Sequence, residues 1–428
     1  MKMRYHRGSS SLSVLVVAVV VVVLAAGLLA ACGGGSTSDG ASASSGATVT
    51  SVKIGTVFPM TGDLAKTGAE AVNGAKLAVE EINAAGGIKS LGGAKLELDI
   101  ANTQGKPEVG MSEAERLINQ DNVSLLIGTS MSSLALPISQ KTERLKTPFI
   151  VCDAISNEIT ERGYKYTFRL IPKADSWCQF QVQFLKDAPT INPEFPVSQR
   201  VATIHEDSDY GVGMAESQDK YIKEAGMEHV VDVSYPYTAT DLTTQVNKLK
   251  AANPDAVLVS SYLTDAMVLA QARERLEMMS IPFIDGGGGV LDPNFPKTLG
   301  KTAEYWFSVT DFLPNANDES IALAAKFKAA FGMDMNSNAN WGYMAMYVAA
   351  KALENAQSAD RDALRDALAT VKLERSAGDR ITIPLDTLQF DATGQLAENA
   401  LYMGEILGGE LTAVYPANMA TTDLVAPK

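Results

Sequence analysis

Ser130, Ser132 and Ser133 fall between the apolar run 123–128 and a helical pattern that begins at Leu134. A helix start offers unpaired N–H groups and the positive end of the helix dipole, so an anion is welcome there. Serine hydroxyls add further donors, and three of them near a strand's carboxyl end fit a carboxylate pocket. The plainer alternative is that Ser132 only caps its helix. Other chemistries fail on spacing. Gly300-Lys301-Thr302 lacks the earlier glycine of a phosphate loop, because position 295 is Phe. Gly211-Val212-Gly213 lacks the third glycine of a dinucleotide loop, because position 216 is Glu. There is no HExxH, no CxxC and no nucleophile elbow, and neither His205 nor His229 has a metal-ligand neighbour at useful spacing. The chain therefore reads as a binder, with no cofactor, no metal and no catalysis expected.

The elements that must carry these residues alternate regularly. β-type runs at 52–59, 95–101, 123–128 and 148–151 alternate with helical spacing at 68–83, 107–120 and 134–145. The pattern restarts with strands at 200–205, 229–234, 256–260 and 282–284, separated by helices at 214–225, 242–252 and 266–278. Such alternation predicts an α/β protein of two doubly wound lobes, with ligands at the carboxyl ends of the strands. Beyond Trp306 come helices at 320–331, 341–356 and near 360–371. A final pair of strands, near 385–390 and 400–407, flanks the turn Asp391-Ala392-Thr393-Gly394.

The N-terminal 51 residues are of another kind. Lys2, Arg4 and Arg7 precede an unbroken small and apolar stretch from Val14 to Ala31, which ends in Leu29-Ala30-Ala31-Cys32. This is the pattern of a secretory signal peptide, and the cysteine after small residues resembles the lipobox of bacterial lipoproteins. That resemblance implies a signal peptide over 1–31, a diacylglycerol on Cys32 and anchoring to the outer face of the cytoplasmic membrane or in the periplasm. Residues 32–51, rich in Gly, Ser, Ala and Thr, read as a flexible tether of roughly 25 Å. Cleavage would take three cations and no acids from a chain of net charge −14, leaving −17. So acidic a surface argues against nucleic acid and anionic lipid as partners. The membrane is expected to be met through the lipid alone. Cys152 and Cys178 are then the remaining cysteines, and an exported protein can join them in a disulfide or keep both as buried thiols.

Several spaced motifs carry a resemblance over nearly the whole exported chain. Lys53-Ile54-Gly55, Pro59-Met60-Thr61-Gly62, Asn73-Gly74-Ala75 and Glu80-Glu81-Ile82-Asn83-Ala84-Ala85-Gly86-Gly87-Ile88 are followed by Glu161–Arg169, Asp207-Ser208-Asp209-Tyr210-Gly211, Lys248–Val257 and Gln271-Ala272-Arg273. Together they resemble the leucine/isoleucine/valine-type substrate-binding proteins of ABC importers. That resemblance implies a type I periplasmic binding protein, two lobes joined by three hinge crossovers. It places the first lobe at 52–171 plus 309–380 and the second at 172–308 plus 381–428. It implies a monomer that closes on a small polar ligand and delivers it to a permease; the rival on the same fold is a sensory receptor.

The site carried over by this resemblance comprises Ser132 with Ser133 for the carboxylate, Tyr210 and Tyr262 from the second lobe, and Thr67 over the ligand side chain. Trp177 and Trp341 each admit two readings, a place lining the cleft or one in the packed core, with the core favoured. The chain departs from the family's pattern in two places. Asp153-Ala154-Ile155 stands where a small residue and, two positions on, a threonine are usual. Gly288, in the run Asp285-Gly286-Gly287-Gly288-Gly289, stands where an acid usually meets the ligand's ammonium. A buried ammonium without a charged partner is costly. Either Asp153 or Asp285 takes that role or the ligand is no ordinary α-amino acid; Asp153 as a mere helix cap is the bland alternative.

Overall fold

The computed structural model describes residues 49–428; the expected signal, Cys32 and nearly all of the tether lie outside them. The first run of elements is β1 (Ser51–Phe58), α1 (Ala65–Ala84), β2 (Lys95–Asn102), α2 (Pro107–Asn119), β3 (Leu125–Gly128), α3 (Ser132–Arg144), β4 (Phe149–Val151), α4 (Glu158–Glu161) and β5 (Thr167–Arg169). All five strands are parallel, in the order β2-β1-β3-β4-β5. The second run is α5 (Ala174–Ile191), β6 (Arg200–Glu206), α6 (Asp209–Glu224), β7 (Glu228–Tyr235), α7 (Thr243–Ala252), β8 (Ala256–Ser260), α8 (Leu263–Arg275), β9 (Phe283–Asp285), α9 (Asn294–Leu299) and β10 (Trp306–Thr310). Its parallel strands take the order β7-β6-β8-β9-β10, the same winding as the first sheet. Each sheet therefore reverses its winding once, between β1 and β3 and between β6 and β8, and ligands collect at such switch points.

The chain then runs through α10 (Asp318–Phe331), α11 (Ser337–Ala356), α12 (Arg361–Ala369), β11 (Lys372–Glu374), β12 (Thr387–Gln389), β13 (Tyr402–Leu407) and β14 (Glu410–Tyr415). α11 packs along α1 of the first lobe at very short range. A Cβ on Gly74 would lie 1.9 Å from the Ala339 carbonyl, and one on Gly342 would lie 1.9 Å from that of Ala71. Only glycine lets these backbones approach so closely.

The late strands differ from expectation. β12 pairs with β11, whereas β13 joins β10 and β14 at the edge of the second sheet. The two runs that flank Asp391–Gly394 are thus not partners in a hairpin. The turn instead lets Gln395 bridge to Arg169 at the end of β5. The chain passes to the second sheet only between Leu396 and Tyr402, later than the 380/381 boundary read from the sequence. The other two passages follow β5 and β10.

Cys152 and Cys178 are both buried free thiols, so the disulfide alternative is corrected. Cys152 ends the β4 segment with its Sγ toward the Ile150 carbonyl, while Cys178 sits in α5 against Met214 of α6. Burial pushes both thiols up, well out of the range where they ionise.

Candidate functional site

The carboxyl ends of the two sheets face each other across a cavity of about 60 Å³. Its first wall is built by the segments after β1, β3 and β4: Thr67, Ser130, Ser132, Asp153 and Ile155. Its second wall comes from the segments after β6, β8 and β9: Tyr210, Tyr262 and Gly287–Gly289. Most of the residues expected at the site are brought together here. Ser133 and Ala154 are not on the lining; Ala154 packs into the apolar cluster beneath α3 instead. Trp177 and Trp341, favoured for the core, line the cavity as well as being buried. Their indoles are fixed by hydrogen bonds at the edge, Trp177 Nε1 to the Pro172 carbonyl and Trp341 Nε1 to both oxygens of Asp311.

The start of α3 is left open. Met131 occupies the cap position and its side chain caps nothing. Among the described residues the Ser132 and Ser133 N–H groups have no acceptor. The Ser132 hydroxyl accepts a bond from the Ser156 N–H at 3.2 Å, so it does not cap the helix and keeps its own proton to donate. The Ser130 hydroxyl is buried and has no partner, as has that of Thr129. Buried polar groups are normally satisfied, so among the described residues this wall is left with unmet hydrogen-bonding capacity.

Asp153 is half-buried against the cavity. Among the described residues its carboxylate has no hydrogen bond or ion pair. It caps no helix, because α4 begins only at Glu158. Desolvation, with the nearby charges of Asp311 and Glu70, pushes its carboxyl well above the usual range. Asp285 is not free to meet a ligand. It accepts from the Gly288 N–H at 2.6 Å and from the hydroxyls of Ser261 and Ser308, at 3.1 and 3.0 Å. Burial nevertheless raises it to about 6. The glycine run it holds must be glycine: a Cβ on Gly288 would lie 2.0 Å from the Ser261 carbonyl and 3.0 Å from the Tyr210 hydroxyl. The Tyr210 and Tyr262 rings meet at a tilt of 48° with centroids 5.4 Å apart. Among the described residues the buried Tyr210 hydroxyl has no partner.

Two features were missed in the sequence. Lys66 of α1 reaches Asp292 of the second lobe at 2.5 and 2.6 Å and Glu70 at 2.8 Å, tying the lobes across the cleft. Arg169 points behind the site, where its guanidinium bonds the Ser156 carbonyl, Thr160 and Gln395. It anchors the loop that carries Asp153 and Ile155. A cation with no sequence neighbour to identify its partner gave no signal for either role.

The periplasmic binding protein family model matches residues 51–410. The chain belongs to that family. It is 32% identical over 390 residues to "Leu/Ile/Val-binding protein homolog 7" of Brucella suis, covering 88% of this chain and 94% of that one. Two solved structures share the fold. One is a branched-chain amino acid transporter substrate binding protein from Streptococcus pneumoniae in complex with isoleucine (TM-score 0.72, 23% identity, 85% of this chain and 98% of that one). The other is a solute binding protein of an ABC transporter from Rhodopseudomonas palustris in complex with 3,4-dihydroxy benzoic acid (TM-score 0.73, 22% identity, 88% and 98%). The type I architecture of two lobes around a cleft, expected from the sequence, is therefore the architecture of this binding protein.

Proposed function

We propose that this binding protein captures a small zwitterionic carboxylate, an amino acid or close relative, between its lobes and delivers it to the permease of an ABC importer. One observation carries the ligand class. The open start of α3 and the unpartnered carboxylate of Asp153 sit on neighbouring strands of one wall. β3 and β4 pair at Gly128 and Val151, and Ser130 and Asp153 each follow two residues later. Adjacent strands lie about 4.8 Å apart, a separation that suits the carboxylate and ammonium of one small molecule. Asp153 takes the cation and Ser130, Ser132 and the α3 N–H groups take the anion. Tyr210, Tyr262 and the Gly288 loop close from the other side, so the ligand favours the form in which both walls touch it. The 32% identity to a Leu/Ile/Val-binding protein homologue supports the amino-acid class. Mass spectrometry of the small molecule released by denaturing the purified protein tests the reading. A compound with no cationic group would defeat the role given to Asp153.

The lobes comprise 52–171 plus 309–380 and 172–308 plus 381–428 in this reading, with the segment through Leu396 leaning on the first. The protein works as a monomer, tethered by lipid on Cys32 outside the cytoplasmic membrane. Cys32→Ser is expected to leave uncut precursor; normal processing and membrane retention of that variant would exclude the anchor.

A further inference from the structure

The start of α11 carries two asparagines that share one partner. Asn336 and Asn338 each donate a side-chain N–H to the same oxygen of Glu70, at 2.8 and 2.9 Å. Glu70 is 1% exposed, and its other oxygen holds Lys66 at 2.8 Å. A carboxylate only accepts, so each amide must turn its NH2 toward Glu70 and its oxygen away. The Asn336 oxygen is used at once: it caps α11 by accepting from the Ala339 N–H at 3.2 Å. The Asn338 oxygen has no hydrogen bond among the described residues, and Asn338 lines the ligand cavity. So does Trp341, one turn further along the same helix face. This face lies beside Asp153, whose carboxyl is raised by desolvation and by the charges of Asp311, the partner of Trp341, and of Glu70.

We propose that Asn338 contacts the ligand, its amide oxygen accepting from the cationic group alongside Asp153, and that Glu70 is the positioning residue that turns that oxygen into the cavity. The inference rests on the head-group reading above. An ammonium brings three donors, and one carboxylate leaves part of them unmet; a buried donor without an acceptor is costly. Among the described residues the other carboxylate on the lining, Asp292, is engaged by Lys66 and by the Asn294 N–H at 2.7 Å. The hydroxyls nearby can donate as well as accept, and so admit either sign of charge. An amide oxygen cannot donate: it admits a cation and turns an anion away.

Calorimetry on the whole protein tests this. The probes are the L-α-amino acid that a thermal-shift screen of the standard set finds tightest, and the same acid with hydrogen in place of its amino group. The parent is expected to prefer the amino acid. Asn338→Leu, of equal size, should cut that preference about tenfold, the usual worth of a hydrogen bond to a charged group, with the deaminated acid bound as before. Glu70→Leu, which frees the amide to rotate, should cut it as far. Glu70→Gln keeps an oxygen for the asparagines and should retain most of it. Both probes weakened alike by Asn338→Leu overturns the contact. A preference untouched by Glu70→Leu, or lost as fully with Glu70→Gln, overturns the positioning role. Should Glu70→Leu not fold, hydrogen exchange of the Asn338 side-chain amide in the parent reads the hold directly: it is expected to be slow, and fast exchange overturns it. A preference cut by Asp153→Asn but not by Asn338→Leu overturns this inference and leaves the head-group reading standing. No preference in the parent, or no binder in the screen, overturns both.

Discussion

The two lobes present helix starts to the same cleft but finish them differently. In the second lobe the starts of α6 and α8 are closed from within. Glu206 accepts from the N–H groups of Ser208 and Gly211, both at 2.7 Å, and the Ser208 hydroxyl accepts from the Tyr210 N–H. At α8, Asp265 accepts from the Tyr262 N–H at 3.0 Å. In the first lobe α3 has no such carboxylate. An acid at a helix start stabilises the helix and repels a second anion; a bare start waits for one. The difference divides the labour. On the proposed function the first lobe recognises charge, and the second supplies rings, hydroxyls and a tight glycine turn that complete the enclosure.

That division can be broken most sharply at Asp153. Asp153→Asn should weaken the ligand recovered from the protein by about 2–5 kcal/mol, the usual effect of truncating one partner of a desolvated charge pair; titration calorimetry reads this directly. The same substitution should raise the stability of the ligand-free protein. A carboxyl whose folded pKa is raised binds more protons folded than unfolded, so stability falls as pH climbs from its unfolded value of about 3.9 through the folded one. Thermal melts should therefore show Asp153→Asn ahead of the parent by about 2 °C or more at pH 8 and level with it at pH 4. Equal melting at both would mean that the carboxylate is satisfied in a way its surroundings do not show.

A smaller effect sharpens the comparison between lobes. Ser130→Ala removes a hydroxyl with no partner among the described residues, so stability should hold while affinity falls by about 1.5–3 kcal/mol, as for a hydrogen bond to a charged group. Ser208→Ala removes a true cap. It should cost about 1 kcal/mol in denaturant unfolding, with the ligand's dissociation constant unmoved. If the two substitutions behaved alike, the contrast between an open and a closed helix start would have no functional meaning.

How legible this was depended on the scale of the cue. Periodicity located α2, α7 and β8 to within a residue or two, because each is a short run bounded by Pro, Gly or Asn. It passed over α5 entirely, although Ala174–Ile191 is eighteen residues long, since the polar Gln181 interrupts its buried stripe and Pro189 lies near its end. β10, whose five residues are all buried, was missed. The serines after β3 marked the open helix start that lines the cavity, and Asp153 stood out as a departure. The tryptophans lie in the core cluster, as favoured, and also line the cavity: a closed cleft is as dry as a core, and sequence cannot separate a ring packed against protein from one that faces a cavity. The cysteines were left open between a bridge and two free thiols for a simpler reason. Pairing needs two Cβ atoms within about 4.5 Å, a distance that no spacing along the chain encodes.

The bridge from Lys66 to Asp292 has a consequence for timing as well as for shape. An ion pair between lobes stabilises closure whether or not a solute is inside, so part of the empty population already resembles the loaded one. Apparent affinity rises in proportion to that share. Because the Lys66 side chain is 34% exposed, dissolved salt weakens the pair. Brine would shift the empty protein toward the open form and slacken its hold on cargo, making the ionic strength of the surroundings a silent partner in how much solute is caught.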